Sequence, residues 1–146
     1  MYNMKNIIIF FLALFLFSHK IVFSQDLSSY RWKNRLLLVF SQDEDSEKIH
    51  KQFTLLQQEM AGLQERKLVL YEIYPEKYKS LNHEEKWINS GSLYEEYKKS
   101  DTSFEVVLIG LDGSVKLRQN EILSIEKLFS TIDVMPMRMR EMRDKN

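Results

Sequence analysis

Leu36-Leu37-Leu38-Val39-Phe40 and, downstream of it, Leu68 to Tyr74 are the stretches that decide the fold. The first is a short unbroken apolar run, the pattern of a strand covered on both faces, and it belongs near the centre of a sheet. Between the two, Ile49, Phe53, Leu56, Met60 and Leu63 recur at spacings of four, three, four and three, which draws one apolar stripe down a helix from about Asp45 to Leu63. Asp43, Glu44 and Asp45 set negative charge at the start of that helix, and Gly62 near its end suits a left-handed C-cap. Leu68 to Tyr74 is rich in residues that favour strands and stops at Pro75. Strand, helix and strand in this order predict a right-handed parallel unit.

Working outward, the pattern weakens from Pro75 to Ser103, although Ser92-Leu93-Tyr94-Glu95 reads as a capping box opening a short helix that carries Tyr94 and Tyr97. Trp87 is expected to pack in an earlier turn. Phe104 to Ile109 predicts a third central strand, and Asp112-Gly113 a two-residue hairpin turn into Val115-Lys116-Leu117-Arg118, whose alternation fits a sheet edge. Ser124 caps a last helix with Ile125, Leu128, Phe129 and Ile132 on its buried face, ending before Pro136.

The resulting order βαβαββα predicts an α/β domain, a mixed sheet flanked by helices, and resembles the minimal thioredoxin-like topology. In redox-active members of that fold the working cysteines follow the first strand, where a helix N-terminus lowers a thiol pKa. Here that loop reads Ser41-Gln42-Asp43-Glu44-Asp45-Ser46, and the chain contains no cysteine. Asp101-Thr102-Ser103 stands where such proteins carry a cis-proline before the third strand. Thiol–disulfide exchange, thiol peroxidase activity and thiolate metal sites are therefore excluded.

The N-terminus has a different character. Lys5 precedes an apolar run from Ile7 to Phe17, and His19 and Lys20 interrupt it well short of the roughly 20 residues a spanning helix needs. Residues 1–24 thus read as a cleavable secretory signal, with cleavage after Val22-Phe23-Ser24 and before Gln25. Residues 25–146 form one domain of a size that folds without disulfides. The expectation is an exported protein, periplasmic or extracellular, with no stable membrane anchor after cleavage. Its 19 basic and 21 acidic residues name no partner by net charge.

Several segments resemble the family described as domain of unknown function 4174, which occurs in exported bacterial proteins and animal extracellular-matrix proteins. They are Tyr30-Arg31-Trp32-Lys33-Asn34-Arg35, Gly62-Leu63 with Glu65-Arg66, Leu108-Ile109-Gly110 with Asp112-Gly113, Val115-Lys116-Leu117-Arg118, Ile132-Asp133, Met135-Pro136-Met137-Arg138 and Glu141-Met142-Arg143. Leu111, Ser114 and Lys67 depart from the family's pattern. The resemblance implies a thioredoxin- or peroxiredoxin-like fold and carries no established reaction.

Arg31, Lys33, Arg35, Lys116, Arg118, Arg138, Arg140 and Arg143 dominate those segments. Planar guanidinium groups suit bidentate grip on carboxylate, phosphate or sulfate, so convergence of these cations would make an anion- or partner-binding surface. The alternative is that they pair with Glu65, Asp133 and Glu141 and pin the C-terminal tail to the domain. Met135, Met137, Met139 and Met142 form a dense thioether run, a weak Cu(I) candidate set against the ordinary use of Met as packing filler. Asp43, Asp45 and Glu47 lack the glycine and the bidentate Glu of a calcium loop. His50 and His83 are too few for a histidine metal centre or a catalytic triad, and both are expected to be solvated. The scattered glycines form no phosphate loop. Trp32 is expected to cover the sheet edge rather than stack on bases, and no nucleic-acid partner and no cofactor are expected. The functional expectation is a non-catalytic interaction module for an unknown protein or an envelope or matrix component, with an anionic ligand or polyanion as the alternative and a thiol-independent enzyme a more distant third.

Overall fold

The computed structural model describes residues 27–82, 86–89 and 92–144. The expected signal, residues 1–24, and His83 lie outside the described residues. Strands β1 (Arg35–Ser41), β2 (Leu68–Ile73), β3 (Lys77–Ser80), β4 (Ile88–Asn89), β5 (Phe104–Ile109) and β6 (Val115–Gln119) form one mixed sheet in the order β4-β3-β2-β1-β5-β6. β1 lies between β2, which runs parallel to it, and β5, which runs antiparallel. Its unbroken apolar run is explained by what covers each face. Leu37 and Val39 pack under α1 (Glu47–Gln57), α2 (Met60–Glu65) and α4 (Ile125–Asp133) through Ile49, Phe53, Leu56, Leu63, Leu128 and Ile132. Leu36, Leu38 and Phe40 face the other way, toward Tyr71, Tyr78, the short helical turn Leu27–Tyr30 and α3 (Leu93–Tyr97). Each fully buried aliphatic side chain contributes about 1.5–3 kcal/mol, and all five apolar residues of β1 are buried.

The fold is the α/β class expected, a mixed sheet flanked by helices, consistent with a thioredoxin-like arrangement. The order is longer than βαβαββα in three places. The stripe from Ile49 to Leu63 is carried by two helices, broken at Gln58 and Glu59, where the Glu59 backbone leaves helical geometry (φ −123°, ψ 27°). β3, with two lysines, and the two-residue β4 extend the sheet beyond β2. Pro136 does not end the helical region but opens a further helix, α5 (Pro136–Arg143), as its first residue.

Local chemistry differs as well. Gly62 is not a C-cap: it sits inside α2, where a Cβ would come 2.7 Å from Phe129 Cζ, so the missing side chain admits the ring. The left-handed residue is Lys67 (φ 51°), whose carbonyl accepts the Arg35 amide at 2.9 Å. The Ser92 hydroxyl makes no cap bond, whereas Ser124 accepts from the Lys127 amide at 3.2 Å. The β5–β6 connection spans residues 110–114, with only Gly113 at positive φ (80°), so it is longer than a two-residue turn. The buried Gln52 amide clamps Leu123 through both its N–H and carbonyl, fixing the loop ahead of α4 onto α1. Trp87 is partly exposed beside Tyr74, with the Lys77 and Lys79 ammonium groups each 4.6 Å from its ring. Among the described residues, no helix is long and apolar enough to cross a membrane.

Candidate functional site

The cations singled out from the sequence do not form one surface. Arg118 reaches from the edge strand to the buried Glu105 carboxylate at 2.7 Å and to the Tyr97 carbonyl at 2.9 Å. Burial would raise the Glu105 pKa, but Arg118 and the Lys99 and Ser100 amides outweigh it and hold the carboxyl below its ordinary range. Lys116 binds Asp112 at 2.7 Å, and that contact with the Ser114 bonds takes Asp112 down to about 2. Arg31 lies 5.6 Å from the centre of the Trp32 indole, while Lys33, Arg140 and Arg143 are exposed.

Arg35 and Arg138 are different, because both are fully buried at the start of β1. Arg138 binds Glu65 at 2.7 Å, Asp133 at 3.2 Å and the Glu65 carbonyl at 3.1 Å. Arg66, which was not singled out from the sequence, grips Asp133 with two donors, at 2.6 and 3.0 Å, and lies 3.9 Å over the Phe129 ring. Arg35 Nη1 donates to Glu141 at 3.2 Å and to the Arg66 carbonyl at 2.8 Å, and Lys67 meets the other Glu141 oxygen at 3.2 Å. Burial would raise the Asp133 pKa, yet the Arg66 and Arg138 bonds win and lower it. The network docks α5 against the end of α2. It contains four cations, Arg35, Arg66, Lys67 and Arg138, and three carboxylates, Glu65, Asp133 and Glu141, so one positive charge is left over.

Two donors in this network have no hydrogen-bond partner. Arg35 Nε and Nη2 are buried and unbonded among the described residues. They occupy one edge of the guanidinium plane, the edge that otherwise makes a paired grip on a carboxylate. Leaving them unsatisfied costs about 1–3 kcal/mol per group. Arg35 also lines a cavity of about 290 Å³, with Trp32, Leu111, Asp112, Lys116, Met135, Pro136 and Met137 as its other walls. Trp32 shares this cavity with Lys116 of the edge strand β6. It is 60% exposed and held at φ 65°, a strained conformation for a bulky residue, with its amide bonded to the Leu111 carbonyl at 2.7 Å. A larger cavity of about 390 Å³, across Asp112, is lined by Leu27, Ser28, Arg31 and Tyr97 among others, and its walls hold no buried unpaired polar atom.

The methionines divide between packing and surface. Met135 packs against the core, and Met137 and Met139 are exposed. At about 100° per residue, Met137 and Met139 fall on nearly opposite sides of α5, so the four thioethers do not share one face. Among the described residues no group of three His, Asp or Glu is placed to hold a metal ion, and His50 is exposed. At the far end of β1, Ser41 Oγ donates to the Asp43 carbonyl and the Asp43 carboxylate accepts from the Asp45 amide, a self-contained turn with no thiol.

No curated protein sequence matches the chain. A model of the family described as Domain of unknown function (DUF4174) matches residues 26–141, a span that runs from the turn ahead of β1 to Glu141 in the Arg35 ion pair. With the N-terminal turn, the Arg66 network and α5 as far as Glu141 inside that span, the chain belongs to the DUF4174 family.

Proposed function

We propose that this chain is an exported, non-catalytic, thioredoxin-like binding module, acting in the periplasm or extracellular space. Its binding surface lies at the start of β1 rather than at the β1–α1 loop. The observation that carries this reading is the cavity under Trp32, which Arg35 helps to line, the same Arg35 that keeps two buried donors unpaired. An exposed aromatic, apolar walls and one convergent charged group are the composition of a recognition site. A cavity of about 280 Å³ at the β1–α1 loop, lined by Gln42, Glu44, Tyr74 and Lys77 among others, has no buried unpaired donor among these residues, and without cysteine the loop has no thiol chemistry to perform. A broad polyanion surface is disfavoured, because Arg35, Arg118 and Arg138 are turned to internal partners.

The test is crosslinking capture from envelope and secreted fractions of the source organism. The native protein is compared with a Trp32→Ser, Met137→Ser double variant and with a Lys33→Ser, Arg143→Ser control. The expected result is one specific partner or ligand-bearing component held by the native protein and the control, and lost by the first variant at unchanged thermal midpoint. Equal capture by all three, or none by the native protein, defeats the reading.

A further inference from the structure

We infer that the cavity under Trp32 is a site for an apolar carboxylate: a ligand that presents one carboxylate to Arg35 and one side-chain-sized apolar group to Trp32, Leu111, Met135 and Met137. This rests on the binding-module reading above and names its ligand class. Arg35 Nη1 is committed to Glu141 and the Arg66 carbonyl, which leaves the Nε and Nη2 edge, the geometry that matches the two oxygens of a carboxylate. The surrounding network carries one more cation than carboxylate, so its charge favours an anionic ligand. The start of α5 borders the same cavity. α5 begins at Pro136 without any side-chain cap at Met135, so the positive end of an eight-residue helix adjoins the cavity through Met135, Pro136 and Met137. The one carboxylate in the lining, Asp112, is neutralised by Lys116 at 2.7 Å. A volume of about 290 Å³ is at the small end of ligand sites, enough for one apolar side chain with its acid group and too little for a polymer of charges.

Two sources share this chemistry, a free small acid and the C-terminal residue of a protein chain. Isotope-labelled protein is titrated with N-acetyl-leucine, N-acetyl-leucinamide, octanoate and sulfate, following the Arg35 Nε–H, the Trp32 indole N–H and the Met137 methyl by NMR. N-acetyl-leucine is expected to move all three saturably, and the amide to bind at least about tenfold more weakly, because it forfeits a charge-assisted paired hydrogen bond. Arg35→Lys keeps the charge, loses the fork and is expected to weaken the acid by a similar factor. Since that buried change can disturb folding, Met137→Asp provides a second arm. It sets a like charge at an exposed position of the rim and is expected to abolish acid binding at unchanged thermal midpoint. Tighter binding of N-acetyl-leucine than of octanoate identifies a chain terminus, and the reverse a free acid. Equal affinity for acid and amide, sulfate binding as tightly as either acid, or no saturable shift at millimolar concentration overturns the inference. If the acids fail while capture still depends on Trp32 and Met137, only the ligand class falls; if that dependence is absent too, the module reading falls with it.

Discussion

Glu141 is the only carboxylate within ion-pair distance of Arg35 among the described residues, whereas Asp133 is shared by Arg66 and Arg138. The two sides of the network therefore respond differently to mutation. Glu141→Gln leaves Arg35, with its side chain 1% exposed, without a counter-charge, and is expected to cost about 3–5 kcal/mol. Arg138→Met leaves each of its acidic partners either solvated or held by another cation, and is expected to cost about 1–3 kcal/mol. Urea unfolding of both variants checks the ranking, and the opposite order would show that Arg138 rather than Glu141 is the keystone. At this scale the sequence was only partly legible. Arg35 and Arg138 stood out as basic residues in segments shared with the family. Nothing in a linear pattern says which N–H of a guanidinium is left unpaired, because that depends on where a carbonyl 31 residues away comes to rest. Arg66, though in one of those segments, was not singled out because a basic residue just past a helix end ordinarily sits in solvent, and here a glycine one turn earlier lets Phe129 lie under it.

Among the elements, the contact between α2 and α4 depends on that absence of a side chain at Gly62. Alanine would favour the helix by about 1 kcal/mol, but its methyl would come 2.7–2.8 Å from the Phe129 ring, and overpacking costs about 1–3 kcal/mol. The ring is held from above by Arg66, so it has little room to retreat. Gly62→Ala is accordingly expected to lower stability by about 1 kcal/mol net, read as a shift of the urea midpoint at constant slope. A stabilised variant would mean the ring moves freely. β1, β2 and β5 were readable because burial on both faces demands continuous apolar residues. β3, with Lys77, Lys79 and Ser80 around one buried tyrosine, has no such demand and left no pattern, and β4 is too short to have one. The helix break at Gln58 and Glu59 was hidden because the apolar stripe continues in phase across it.

For the molecule as a whole, the carboxylates at ion pairs set the acid limit. Asp112, Asp133 and Glu105 all titrate lower in the folded chain than the usual range, Asp112 at about 2. Because their folded pKa values lie below the unfolded ones, the stability they contribute is complete above about pH 5 and is lost as the pH falls through about 4 toward 2. Urea midpoints are expected to be level from about pH 7 to 5 and to drop steadily below that, and Asp133→Asn to show a shallower drop. A profile unchanged by that substitution would place the acid sensitivity elsewhere. The same network also has a direction in time. Arg35 is separated from Glu141 by 106 residues, and Glu65 from Arg138 by 73. A ribosome adding about 5–20 residues per second holds the first strand's cation without its counter-ion for about 5–20 s, until residue 141 has been added. The domain is therefore closed by its final helix, and a nascent chain lacking that helix stays unlatched however well its sheet has formed.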